Sequence, residues 1–97
     1  MSQYMIVVHL PLYFDDEFAK LIPKQRSLID KLMAENAIYS YSLSLDRTRL
    51  WIIASAEEEK DLEKMLRTFP VYDWIKYDIN PLMFHAQSFP IIPISLN

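Results

Sequence analysis

A chain of 97 residues without a single glycine has closed off most of the loops by which proteins hold nucleotides. Phosphate-cradling loops, dinucleotide fingerprints and Walker motifs bring backbone close to a ligand, and only glycine permits that approach. Cysteine is absent as well, which removes disulfides, thiolate nucleophiles and cysteine-held zinc or iron–sulfur clusters. The length suits one domain, because two halves would each be too small to hold a core. A hydrophobic share of 52% supplies that core and argues against disorder. Ten Lys and Arg against 13 Asp and Glu leave a net charge of −3, which offers no footprint for a nucleic-acid backbone. No apolar run approaches the roughly 18–20 residues that would span a membrane. The start, Met1-Ser2-Gln3-Tyr4-Met5, lacks the basic region of a secretory signal. The expectation is a cytoplasmic protein that contacts neither membrane nor nucleic acid.

Tyr4 to Leu10 is continuously apolar except for His9 and stops at Pro11, the pattern of a central strand covered on both faces. After a short loop, either Asp15 or Asp16 can cap a helix. Phe18, Leu21, Ile22, Leu28, Ile29, Leu32 and Met33 then recur at three- and four-residue spacing, an amphipathic helix. Pro23 lies inside it and predicts a kink, or a short first turn separated from the main body. Asn36 stands where glycine usually ends a helix, since asparagine tolerates the left-handed conformation better than most residues.

Ala37, Tyr39, Tyr41, Leu43 and Leu45 alternate with Ile38, Ser40, Ser42 and Ser44, a strand with one apolar face and one serine-lined face. Asp46-Arg47-Thr48 reads as a polar turn, and Leu50 to Ala54 returns as the second arm of a hairpin. Ser55-Ala56-Glu57-Glu58 has the form of a capping box. The helix it opens buries Leu62, Met65, Leu66 and Phe69 and ends at Pro70. A last strand is expected from about Tyr72 to Ile79. The order is βαββαβ, a ferredoxin-like α+β arrangement with a four-stranded antiparallel sheet and two helices on one face. The first and third strands are apolar on both faces, so the uncovered side of the sheet calls for a second copy of the chain.

The second half carries a resemblance. Leu62 to His85 (LEKMLRTFPVYDWIKYDINPLMFH) is similar to the muconolactone δ-isomerase family, in which a helix ends in a leucine or aromatic plus proline. An aromatic or apolar pair, a strand and a histidine just beyond it follow. Leu10-Pro11 after the first strand fits the family's opening, and the likeness covers residues 4 to 88. It implies a ferredoxin-like subunit that forms dimeric α+β barrels. It also implies a cofactor-free proton shift on an unsaturated lactone, in aromatic catabolism. His85 falls on a matching position. The hairpin departs: the family carries tryptophan, arginine, glycine and histidine there, whereas this chain reads Ser40-Tyr41-Ser42-Leu43-Ser44-Leu45-Asp46-Arg47-Thr48-Arg49.

A proton shift beside a carbonyl needs a group to take the proton, a group to return it and stabilisation of the enolate. His9 and His85 are the candidate catalytic groups, since histidine alone has an unperturbed pKa close to neutrality. Each also has an ordinary reading, as a hydrogen-bonded strand end or an interface contact. Ser40 and Ser42 place hydroxyls about 7 Å apart along one face, where they could bind substrate or simply meet water. Tyr41, Trp51 and Tyr72 are candidate walls for a flat or cyclic ligand, or plain sheet packing. No metal and no cofactor are expected. Two classes stay open: a cofactor-free isomerase or small-molecule binder, and a non-catalytic homo-oligomeric module of the same fold. A domain of residues 1–88 is then followed by an apolar, proline-containing tail, 89–97, expected to dock on a neighbouring subunit.

Overall fold

Tyr4, Ile6 and Val8 alternate along the first strand with Met5 and Val7, and the alternation decides which side of the sheet becomes the core. In the computed structural model, which describes residues 1–88, the elements are β1 (Ser2–His9), α1 (Asp16–Ala34), β2 (Ile38–Leu43), β3 (Arg49–Ala56), α2 (Glu59–Arg67) and β4 (Lys76–Leu82). The sheet order is β2-β3-β1-β4, and every neighbouring pair runs antiparallel. This is the ferredoxin-like fold. Both helices share one core with the sheet: Phe18 and Ile29 from α1 and Leu62 and Leu66 from α2 pack with Tyr4, Ile6, Val8, Leu50, Ile52 and Ala54. Each such side chain contributes about 1.5–3 kcal/mol when removed from water. No described helix is long and apolar enough to cross a membrane.

The ends of α1 are made by side chains suited to them. Asp15 is the N-cap and accepts from the Phe18 N–H at 2.8 Å. At the other end the Ala37 N–H reaches the Leu32 carbonyl at 2.9 Å and the Asn36 N–H reaches that of Met33 at 3.1 Å. Asn36 takes φ 61°, so the ending is a Schellman motif built without glycine. Pro23 does not divide the helix. Its ring removes one backbone hydrogen bond on the exposed side of the helix, while Phe18 and Ile29 hold the two halves to the sheet.

Three further boundaries differ from the sequence pattern. Ser55 and Ala56 stay in β3, paired with Gln3 and Ser2, and α2 begins later. Glu58 is its N-cap, donating its N–H to Asp61 Oδ2 at 3.2 Å. Tyr72–Trp74 forms a 3-10 turn ahead of β4, because Trp74 folds back so that its ring meets the edge of Phe18 at 5.5 Å. In β2, Ile38 pairs with Ala54 but Ser40 pairs with Ile53, so Tyr39 is an extra, bulged residue. The bulge resets the alternation and sends Ile38 into the core, although it shares parity with the serines.

The side of the sheet away from the helices carries Met5 and Val7 from β1, with Trp51 and Ile53 beside them on β3. Ser40, Ser42, Asp78 and Asn80 flank this apolar centre. After β4 the chain leaves the β4 edge: the His85 N–H bonds Gln3 Oε1 at 3.1 Å, and His85 and Gln87 border a hollow with Met33, Ile38 and Tyr39. The tail expected at 89–97 lies outside the described residues.

Candidate functional site

α1 does not seal against the sheet along its whole length. Between it and the β2–β3 hairpin lies a cleft of about 990 Å³, at the upper end of the range used for small molecules and open to solvent. Phe14, Phe18, Ile22, Ile29, Leu50 and Val71 make its apolar walls, and Phe14 and Phe18 pack at 4.6 Å between ring centroids. About three turns of helix place Phe18, Gln25 and Ile29 on one stripe, so the middle of the wall is an amide. Gln25 is only 4% exposed. Its Oε1 and Nε2 have no hydrogen-bond partner among the described residues.

Tyr41 faces Gln25 from β2. Burial pushes its hydroxyl above the usual tyrosine value, and the neighbouring Gln25 amide and Arg26 guanidinium pull it part of the way back. The amide thus lies close enough to bias the phenol, yet the two do not meet in hydrogen-bonding geometry. Arg26 and Asp30 border the cleft from α1 and Arg47 from the hairpin. Arg47 holds φ 64°, a left-handed conformation that costs a residue with a Cβ roughly 1–2 kcal/mol. The turn around it is tied by Asp46, whose carboxylate accepts from Ser44 Oγ at 2.7 Å, Thr48 Oγ1 at 2.7 Å and the Thr48 N–H at 3.0 Å. Those bonds, led by Thr48, bring the Asp46 carboxyl down to about 2.

The residues singled out from the sequence fall into three places. Tyr41 lines the cleft. Ser40, Ser42 and Trp51 lie on the opposite side of the sheet, with Ser42 paired to Trp51. His9 is on that side too, its Nε2 at 3.1 Å from Asp78 Oδ2, with Arg49 and Lys76 as its strand neighbours. His85 lies apart from both, its Nε2 at 3.2 Å from Gln87 Oε1. Tyr72 packs near Tyr77, at 6.3 Å between rings, outside the cleft lining. Neither histidine borders the cleft.

Gln25 and Arg47 escaped the sequence reading. The signal for Gln25 was a polar residue on an otherwise apolar helical stripe. For Arg47 it was a tight turn in a chain with no glycine to place there.

The cleft thus combines apolar walls, one amide able to donate and accept, one phenol, and charged groups at the rim. The comparisons agree with the architecture. No curated protein matches the chain by sequence. Among solved structures, a crystal structure of muconolactone isomerase at 3.3 Å resolution is similar with a TM-score of 0.72 and 14% identity. That likeness covers 91% of this chain and 95% of the other, and establishes the fold. The family described as muconolactone delta-isomerase matches residues 4–88, spanning both helices and all of β4. With most of its length matched, this chain belongs to the muconolactone delta-isomerase family.

Proposed function

We propose that the chain binds a small unsaturated lactone, or a related cyclic carbonyl compound, in the cleft between α1 and the β2–β3 hairpin. The observation that carries this reading is the Gln25 amide, buried and unpartnered in an apolar wall. An unsatisfied buried amide costs a fold about 1–3 kcal/mol, and a ligand carbonyl or ring oxygen would remove that cost. Tyr41 adds a second group for the same ligand. Titrating the Trp51→Phe variant with muconolactone while following the fluorescence of Trp74, its remaining tryptophan, tests the reading, because Trp74 packs on Phe18 of the cleft wall. Saturable binding that Gln25→Leu abolishes supports it, and binding unaffected by that substitution overturns it.

A second reading, a cofactor-free proton shift, is favoured by the His9–Asp78 pair, in which a carboxylate at 3.1 Å orients the imidazole. His9 sits on the sheet side that carries Met5, Val7, Trp51 and Ile53, and a second copy packed there would form the dimeric barrel and surround His9. His85, at the position matching the family, is the other proton carrier proposed. Proton exchange from muconolactone in deuterated water compares wild type with His9→Ala and His85→Ala. No exchange by wild type removes the isomerase reading and leaves a non-catalytic binding module. A cytoplasmic role in aromatic catabolism belongs to the isomerase reading.

A further inference from the structure

The cleft is bordered by an arginine whose backbone would be better served by another residue. Two described residues other than glycine have positive φ, Asn36 and Arg47. Asparagine suits that conformation and arginine does not. The bonds that tie the hairpin turn run through Asp46, Ser44 and Thr48 and through the Arg47 N–H to the Ser44 carbonyl at 3.0 Å. None of them uses the Arg47 side chain. Its guanidinium has no carboxylate within 4 Å among the described residues, although it borders the same cleft as Gln25 and Tyr41. On the facing helix, Arg26 and Asp30 also border the cleft, one turn apart. With two arginines and one aspartate in its lining, the cleft carries an excess of positive charge, in a chain whose net charge is −3.

We propose that Arg47 is a specificity residue, binding the carboxylate of a small cyclic anion whose ring lies against the apolar walls and whose other oxygen meets Gln25. The proposal deepens the binding reading above and rests on it. A guanidinium presents paired N–H donors that match a carboxylate, and no other side chain of the cleft lining except Arg26 offers them. The turn tolerates an unfavourable residue because the side chain is kept for a ligand and the surrounding bonds hold the backbone in place.

The experiment compares muconolactone with its methyl ester, by calorimetric titration of wild type, Arg47→Gly and Arg47→Lys. Wild type is expected to favour the acid over the ester by roughly ten- to a hundredfold, the range for a hydrogen bond to a charged group. Arg47→Gly should lose that preference, leave ester binding within about twofold, and melt at the same or a higher temperature, since glycine relieves the turn. Arg47→Lys should keep part of the preference. A purely structural role would lower the melting temperature and weaken both ligands alike. Should Arg47→Gly fail to fold, Arg47→Asn, which also tolerates the turn, gives the same comparison. Retained acid preference in the variant overturns the proposal. Equal binding of acid and ester by wild type overturns it while leaving the cleft reading intact, and binding of neither overturns both.

Discussion

Nine residues of α2 bury Leu62 and Leu66 almost completely, whereas the nineteen of α1 bury Phe18, Ile29 and the amide of Gln25. The two helices lie on the same face of one sheet. α2 is short, acidic at its start and basic at its end, with Glu59 and Asp61 in the first turn and Lys64 and Arg67 in the last. Its buried stripe is wholly apolar, and it lines neither the cleft nor the hollow beside His85. α1 is more than twice as long and stands off the hairpin, leaving Gln25 without partners and Ile22 half-exposed. The α2 half spends its contacts on stability. The α1 half withholds some of them, and the withheld contacts form the cleft.

That contrast breaks first if the α2 side proves soft. Leu66→Ala is expected to cost about 2–5 kcal/mol in urea unfolding, as full burial and a residual cavity require. Ile22→Ala on the cleft wall should cost clearly less, and equal costs would erase the distinction. Next in size, Gln25→Leu should raise stability by about 1–3 kcal/mol while ending ligand binding, because it replaces an unpaired buried amide with a side chain the wall accepts. A loss of stability instead would mean the amide is already satisfied. Asp15→Ala removes the cap of α1 and should cost about 1 kcal/mol, readable as a lower urea midpoint with an unchanged slope.

The smallest effect sharpens the picture of the hairpin beside the cleft. The Asp46 carboxyl lies at about 2 in the folded chain against an ordinary value of 3.8. A depressed folded value contributes stability that is fully present above the unfolded value and is lost as the pH falls through the window between them. Wild type should therefore melt above Asp46→Asn at pH 6, and the gap should narrow between pH 4 and pH 2. The group is fully exposed, so the gap is expected to be small. A gap that does not change with pH would assign the turn's order to Ser44 and Thr48 alone.

Local rules were enough to read most of this fold. The apolar run of β1, the Asp15 cap, the Asn36 ending and the hairpin around Asp46 each depend on neighbours in sequence, and the sequence order alone gave βαββαβ. What escaped depended on distant contacts. Pro23 looked like a break because the sheet-side anchors that hold α1 together are not visible in the helix itself. Tyr72 to Trp74 looked like strand because nothing local tells Trp74 to turn back onto Phe18. The site was less legible than the fold for the same reason. The cleft joins α1, the hairpin and Val71, and its key group is a glutamine whose lack of partners appears only in three dimensions. Histidines draw attention by their chemistry, and here they stand on other surfaces.

The bulge in β2 bears on how this chain can change length. Tyr39 is the one residue of β2 that opposes no partner of its own, since Ile38 and Ser40 already take Ala54 and Ile53. Deleting it would return the ladder to strict alternation with Ile38 still facing the core and Ser40 still on the opposite side. Everywhere else along β2 the loss of one residue would turn the inward side chains outward. Single-residue deletions in descendants of this chain should therefore collect at position 39, and a pairwise alignment that must open a gap in β2 has its physical place there.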